Sequence, residues 1–203
     1  LISLPAALMI ARLMVPGSPH SSEPAEPDLA YDGAMDAVVR GAMEGVQLML
    51  AVIGIIITIF ALVALADQCL ALLPAVDGAA LSLKRLFGWI FAPLLWAIGV
   101  PWEQAPAAGA LMGTKAILNE YVAYLDLAAL PAGTLDARST LIVTYALAGF
   151  ANLASIGLLV STIASLCPQR RAEAAGLGVK SWIAGNLSTL MTGATIGLVT
   201  PYA

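Results

Sequence analysis

The sequence predicts an all-α, polytopic membrane protein with a re-entrant helical hairpin and a discontinuous transmembrane helix. Of its 203 residues, 60% are hydrophobic and only 11% are charged, whereas soluble domains average about 25% charged residues. Long intervals of the chain carry no charge at all. Other apolar segments are short and are broken by glycine, proline or single charges, which is typical of re-entrant and broken helices at membrane depth.

The first two segments are the end of a transmembrane helix and a linker. A helix needs about 20 apolar residues to cross a bilayer core, and residues 1–16 form part of such a run. No positively charged segment or cleavage-type site accompanies it, so we interpret the chain as the C-terminal part of a larger protein. Residues 17–36 are rich in Pro, Ser and acids and predict a cytoplasmic linker. His20, the only histidine, is expected to be a solvated loop residue.

The middle of the chain predicts one full span and a hairpin. Residues 37–67 predict a transmembrane helix, because residues 45–66 are uncharged and apolar on every face. Residues 82–130 predict an interfacial helix followed by a re-entrant hairpin, because this apolar stretch is interrupted by Pro93 and Pro101 and by charges in its second half.

The last two elements are a discontinuous and a continuous transmembrane helix. Residues 138–168 predict the discontinuous one, since the small and polar residues of GFANLAS favour unwinding midway. Residues 178–203 predict the last span, whose Asn, Ser and Thr side chains are expected to bond to their own helix or to a neighbour. Arg170 and Arg171 lie between the two spans and Lys180 lies at the start of the last one, which places that loop in the cytoplasm.

Composition and motifs exclude several function classes. A net charge of −4 offers no basic patch, so no nucleic acid is expected as a partner. Cys69 and Cys167 are far apart and show no metal or disulfide spacing; both are expected to be small core residues. Phosphate-binding loops and nucleophile motifs are absent from the sequence. No metal and no cofactor are therefore expected.

The stretch GTKAILNEYVAY (113–124) places charge within an apolar segment. A charge near the bilayer centre costs about 2.5–3.5 kcal/mol, so it is expected to face protein or a water cavity and to have a function. Glu120 is the strongest candidate, because a carboxylate accepts charge-assisted hydrogen bonds from two adjacent hydroxyls such as those of a ribose. On a continuous helix Lys115 lies about 140° from Glu120, a poor ion pair, but shares a face with Asn119. Snorkelling or contact with backbone carbonyls explains Lys115 equally well.

The stretch GFANLAS (149–155) carries the second group of candidates. Asn152 and Ser155 are three residues apart, so they point the same way if the segment is helical. Both side chains donate and accept hydrogen bonds, and Phe150 would close one wall of a pocket. The alternative is that these residues only hold two helices together.

Three stretches of the chain resemble the C-terminal half of the concentrative nucleoside transporter family. They are LPAALMIARLMVP, FAPLLWAIGVPWEQAPAAGALMGTKAILNEYVAYLDL, and YALAGFANLASIG followed by PQRRAE. The resemblance runs nearly from end to end, and the GTK…NE-aromatic-VAY and GFAN…SIG strings are its most specific parts. One departure is Ala154, which stands where the family often has glycine.

The resemblance implies a secondary active transporter that takes up nucleosides by symport with Na⁺ or H⁺. It also implies a multi-pass homotrimer in the lipid bilayer of the cell (inner) membrane. Glu120 resembles the hairpin glutamate that binds the ribose hydroxyls, Asn152 and Ser155 resemble the ribose-contacting pair, and Phe150 resembles their aromatic neighbour. Asn119 and Lys115 are secondary candidates. The family's first hairpin, with the nucleobase contacts and the ion site, belongs upstream, so the sequence determines neither base preference nor coupling ion.

Two other function classes are weighed against transport. An intramembrane enzyme would use Glu120 as an acid or base, but no nucleophile or metal set accompanies it. A membrane channel or a non-transporting membrane scaffold is the other alternative. Ion-dependent counterflow of a labelled nucleoside separates all three.

Overall fold

A computed structural model describes residues 3–17, 31–76 and 78–201. The predicted His20 and most of the predicted linker, residues 18–30, lie outside the described residues. The prediction of an all-helical chain is confirmed, since the described part contains helices and a single isolated β-bridge. The helices are α1 (Ser3–Met14), α2 (Ala34–Ala71), α3 (Leu83–Ala97), α4 (Ala105–Ile117), α5 (Glu120–Ala128), α6 (Ala137–Leu147), α7 (Leu153–Leu166) and α8 (Arg171–Val199).

Helix α2 is long, apolar and uncovered. It spans 38 residues and has no buried residue. A helix that is apolar on all sides belongs either in a protein core or in a membrane, and the described part of this chain does not enclose it. Together with residues Pro168–Val199, which contain α8, it is one of two helices in the described residues that are long and apolar enough to cross a membrane.

Helices α1 and α8 are held together by hydroxyl groups. The hydroxyls of Ser3 and Thr192 lie 3.0 Å apart, and Ser188 Oγ donates to the carbonyl oxygen of Ser3 at 2.9 Å. Thr195 Oγ1 donates to the carbonyl of Met191 within α8. The predicted use of the hydroxyls on the last helix, to bond their own helix or a neighbour, is confirmed.

Helices α3 and α4 form a tight antiparallel pair with glycine at the contact. A Cβ on Gly109 would overlap the carbonyl oxygen of Gly88 and lie 2.8 Å from the amide nitrogen of Ala92. Further along, a Cβ on Gly113 would lie 3.0 Å from Phe87 Cβ. Because the residue numbers rise on one helix as they fall on the other, the two helices run in opposite directions. Small residues permit this close approach of two backbones.

The helical backbone is interrupted between α4 and α5. Helix α4 ends at Ile117, Leu118 leaves the helical region with φ −92° and ψ −87°, and Asn119 is extended. The prediction that Lys115 and Asn119 share a helical face is therefore wrong, because no continuous helix joins them. The same interruption invalidates the 140° separation of Lys115 and Glu120 that a continuous helix would give.

Helix α4 lies at the centre of the hydrophobic core. The largest fully buried apolar side chains come from α3, α4 and α6, and they are Leu95, Leu111, Met112, Ile117, Ile142 and Leu147. The two cysteines are not part of this core. Cys69 is exposed on α2 and Cys167 is half-buried, so the prediction of core cysteines is wrong. An apolar neighbourhood in sequence indicates burial in soluble proteins, but a membrane span keeps apolar residues on its outer surface.

Candidate substrate-binding site

Two short helices begin next to each other, and each begins with an asparagine. Asn119 Oδ1 accepts a hydrogen bond from the amide of Val122 at 2.9 Å, which caps α5. Asn152 Oδ1 accepts from the amide of Ser155 at 2.8 Å, which caps α7. Asparagine is among the best N-cap residues because its side chain satisfies an amide that has no partner within the helix. The sequence reasoning missed both caps, although an asparagine before an apolar run is their usual signal.

Asn152 and Ser155 are joined by a reciprocal capping box. Besides the amide bond just described, the amide of Asn152 donates to Ser155 Oγ at 3.1 Å, and this hydroxyl donates to the carbonyl oxygen of Asn152 at 2.6 Å. Asn152 has φ −126° and ψ 173°, so it precedes the helix. The two side chains were predicted to be neighbours because they share a helical face. They are neighbours because of the capping box instead, since Asn152 precedes the helix. Both side chains keep hydrogen-bonding capacity beyond the cap: the two Nδ2 protons of Asn152, one of which donates to Glu120, and a lone pair of Ser155.

Glu120 is the first residue of α5 and faces the start of α7. Asn152 Nδ2 donates to Glu120 Oε2 at 3.5 Å, which is a long hydrogen bond. In the part of the chain that the structure describes, no ion pair joins Glu120 to Lys115. The N-terminus of a helix favours negative charge, and here two such ends meet at one carboxylate. Its oxygens accept about four hydrogen bonds when fully used, so this group has spare capacity for a ligand.

Phe150 lies in the gap between α6 and α7 and borders two cavities. Its side chain is 60% exposed. One cavity, of about 400 Å³, is also lined by Ser155 and Trp182. The other, of about 60 Å³, is also lined by Asn119 and Asn152. The structure thus places four of the six predicted residues on cavity walls, while Glu120 reaches the site through its contact with Asn152.

Lys115 is separated from these cavities. It is 0% exposed, and its Nζ donates to Asn186 Oδ1 at 3.0 Å and to Thr189 Oγ1 at 3.1 Å. The side chain therefore neither snorkels nor contacts backbone carbonyls through these bonds. The sequence predicts polar side chains on the last span, but no local signal connects Asn186 and Thr189 with a lysine more than 70 positions away.

Comparison with known proteins gives a consistent family. The profile of the family described as "Na+ dependent nucleoside transporter C-terminus" matches residues 1–197. The chain is 34% identical to the putative nucleoside permease NupX of Escherichia coli, with 97% of the chain and 49% of that protein covered. It is 32% identical to the nucleoside permease NupC of Helicobacter pylori, with 97% and 49% covered. The chain thus spans about half the length of these relatives.

Solved structures agree with the sequence relatives. A variant of CNTnw in an "intermediate 3 state" matches with a TM-score of 0.88 and 35% identity, over 99% of this chain and 50% of that chain. CNTnw "in an inward-facing substrate-bound state" matches with a TM-score of 0.74 and 36% identity, over 96% and 48%. From its sequence profile, its relatives and its fold, the chain belongs to the concentrative nucleoside transporter family and corresponds to the family's C-terminal region.

Proposed function

We propose that this chain is the C-terminal half of a secondary active transporter that takes up nucleosides by symport with Na⁺ or H⁺. The observation that carries the proposal is the Glu120 carboxylate, which meets the Asn152 amide where two helices begin. No covalent chemistry is involved, and the protein is not an enzyme. The family assignment supports the transport class, and the name "Sodium/nucleoside cotransporter 1" of a rat relative, 29% identical over 98% of this chain and 34% of that protein, supports Na⁺ as one candidate ion.

The substrate is held through its ribose. Two adjacent hydroxyls of a ribose donate to the two oxygens of Glu120, and charge-assisted hydrogen bonds of this kind are roughly twice as strong as neutral ones. The remaining Nδ2 proton of Asn152 donates to a sugar oxygen. Ser155, whose own proton is used in the capping box, accepts with its spare lone pair. Phe150 provides an aromatic wall beside the sugar.

Asn119 and Lys115 take secondary places in this proposal. Asn119 lines the smaller cavity and retains its Nδ2 donors for a ligand, because its cap uses the oxygen. Lys115 is fully buried against α8, which argues against direct contact with the nucleoside.

The upstream half completes the site. The cavity of about 60 Å³ beside Asn119 and Asn152 is far smaller than the roughly 300–1,000 Å³ of a usual small-molecule pocket. Because the chain spans about half the length of its relatives, we expect the remaining walls, the nucleobase contacts and the ion site to come from the rest of the transporter. In this arrangement α3–α5 form a re-entrant hairpin, α6 and α7 form a discontinuous transmembrane helix, and residues 17–36 are cytoplasmic. The protein works as a multi-pass homotrimer in the lipid bilayer of the cell (inner) membrane.

An ion gradient drives uptake through linked binding. If the ion and the nucleoside each favour the same loaded state, each raises the affinity for the other by the same factor. Half-helix ends near the middle of a membrane are suitable places for such coupled sites.

The central experiment replaces Glu120 by glutamine in the full-length transporter. Glu120→Gln keeps the size of the side chain but removes its charge, so most uptake should be lost while the amount of protein in the membrane stays the same. Glu173→Gln is the matched control, since Glu173 is an exposed residue of α8 paired with Arg170. Near-normal uptake by Glu120→Gln would reject the assigned role.

A second measurement tests the ribose contact and the class of function. Asn152→Ala should lower the affinity for ribonucleosides more than the affinity for 2′-deoxynucleosides. An equal loss of affinity for both would argue against contact with the 2′-hydroxyl.

Ion-dependent counterflow of labelled nucleoside in proteoliposomes separates a carrier from a channel or a scaffold, because only a carrier exchanges bound substrate.

A further inference from the structure

Lys115 is a buried amino group whose hydrogen bonds go to neutral side chains. It is the largest fully buried side chain of the described residues, and no carboxylate in that part of the chain lies within ion-pair distance of it. Burying an unpaired charge is costly unless hydrogen bonds compensate. Both of its acceptors, Asn186 Oδ1 and Thr189 Oγ1, are neutral and come from α8. A buried charge at membrane depth is by default a candidate for a functional role.

The lysine fixes the orientation of the Asn186 amide. The ammonium group of a lysine only donates hydrogen bonds, so the oxygen of the Asn186 amide has to face Lys115. The nitrogen then points away and donates to the carbonyl oxygens of Ala151 and Trp182, each at 3.0 Å. Thr189 is held as well, because its hydroxyl donates to the Asn186 carbonyl oxygen at 2.9 Å. Every polar atom of the Asn186 side chain is therefore engaged.

The Asn186 side chain holds the backbone between α6 and α7 at Ala151, the residue before Asn152. The carbonyl of Ala151 belongs to the peptide group whose nitrogen is that of Asn152. Asn152 caps α7 and donates to Glu120. Hydrogen bonds thus link Lys115 through Asn186 to Ala151, the peptide bond links Ala151 to Asn152, and a further hydrogen bond links Asn152 to Glu120.

The charges around the backbone between α6 and α7 are consistent with this link from Lys115 to Asn152. Helix α6 ends at Leu147, and the backbone then passes the lysine, since a Cβ on Gly149 would lie 3.9 Å from Lys115 Nζ. The C-terminal end of a helix carries a partial negative charge, which a nearby cation stabilises, and the N-terminal end favours an anion. Lys115 lies by the end of α6 and Glu120 by the start of α7, so each half-helix end has the complementary charge.

We propose that Lys115 is a positioning residue: it fixes residues 148–152 through Asn186 and so sets the place of Asn152 relative to Glu120. This inference rests on the proposed transport function and deepens it. Lys115 acts through another side chain and does not touch the substrate itself.

The test compares ribonucleosides with 2′-deoxynucleosides in the full-length transporter. Lys115→Met keeps the length and removes the amino group, and its KM is measured for uridine against 2′-deoxyuridine and for adenosine against 2′-deoxyadenosine. The preference for the ribonucleoside should fall about tenfold relative to the wild-type protein, which corresponds to the loss of one charge-assisted hydrogen bond between a ribose hydroxyl and the displaced Glu120–Asn152 pair. Lys180→Met, on the exposed surface of α8, is the matched control and should leave the ratio unchanged.

A merely structural role gives a different result. Loss of packing alone lowers the amount of protein in the membrane, and uptake of both sugars falls in the same proportion. An unchanged ratio in Lys115→Met protein that reaches the membrane overturns the proposal. If Glu120→Gln also transports normally, the proposed function fails as a whole. If Glu120→Gln is inactive while Lys115→Met keeps the ratio, only the present inference fails.

A second variant decides the matter if Lys115→Met does not reach the membrane. Asn186→Asp keeps an oxygen that accepts from Lys115 and removes the nitrogen that donates to the Ala151 carbonyl. The ratio should then fall about two- to tenfold, as expected for the loss of one neutral hydrogen bond. An unchanged ratio in this variant at wild-type amounts overturns the proposal, because the proposed path passes through this bond.

Discussion

A single methyl group at Gly149 should misplace the candidate site. The described structure gives this glycine no positive φ, so the backbone accepts alanine and any effect comes from the space that the new Cβ occupies. That Cβ would overlap the Cγ2 methyl of Thr189 and lie 3.3 Å from its Cβ. Thr189 has little room to withdraw, because it is buried and its hydroxyl bonds both Lys115 and Asn186.

The magnitude follows from overpacking. Extra atoms in a filled core cost about 1–3 kcal/mol. Residues 148–152 are expected to move to relieve the overlap. Returning them to the position that binds substrate then costs that same free energy, so substrate affinity falls about 5- to 140-fold. Expression in the membrane should change much less than KM, since one local displacement removes the overlap.

The assay is a double-mutant cycle on uptake KM in the full-length transporter. Thr189→Ser removes the offending methyl and keeps the hydroxyl, so Gly149→Ala should cost far less when combined with Thr189→Ser than in the wild-type protein. Gly176→Ala is the control, because nothing lies within 4 Å of a Cβ at that helical position. Additive losses, or a neutral Gly149→Ala, would refute this account of the contact.

Two further predictions concern stability, measured as the apparent melting temperature of the purified transporter in detergent. Gly109→Ala should destabilise by about 1–3 kcal/mol because the new Cβ overlaps the backbone of α3, whereas Gly176→Ala should stabilise by up to about 1 kcal/mol; a stabilising Gly109→Ala contradicts the packing described. Asp136→Ala should cost about 1 kcal/mol by removing the cap of α6. The hydrogen bond from the Ser139 amide lowers the pKa of Asp136, so this contribution is complete above the ordinary aspartate pKa of about 4 and is lost as the pH falls through the lower pKa of the folded state. Asp136→Asn, which caps without titrating, should remove that acid sensitivity, and an unchanged acid response would show that other groups cause it.

Local sequence signals predicted the elements that depend on composition. The apolar interval 45–66 lies within α2, and α6 and α7 are separated at the small and polar residues of GFANLAS. The interruption after Ile117 was missed, since KAILNEYVAY has no glycine or proline and its asparagine was interpreted only as a ligand. An asparagine followed by an acidic residue is also the start of a helix, and both roles apply to the same stretch.

Local sequence patterns could not predict the hydrogen-bond partners of Lys115. Asn186 and Thr189 lie 71 and 74 positions away, and only the packing of α8 against α4 brings them together. The two cysteines were misplaced for a related reason, because apolar surroundings in a membrane chain do not separate core from outer surface. The choice of Glu120 as a candidate ligand needed only residue-level reasoning, while its position opposite Asn152 depends on the fold.

The glycine contact between α3 and α4 restricts how this part of the molecule can deform. With backbone atoms of one helix seated directly on the other at Gly88 and Gly109, sliding either helix by a residue would drive a side chain into the opposite main chain. The pair is therefore expected to respond to any displacement as one stiff body, with bending confined to its ends at residues 98–104 and 118–119. A crosslink between α3 and α4 should change the behaviour of the protein little, whereas stiffening the turn at 118–119 should restrict the Glu120 carboxylate next to it.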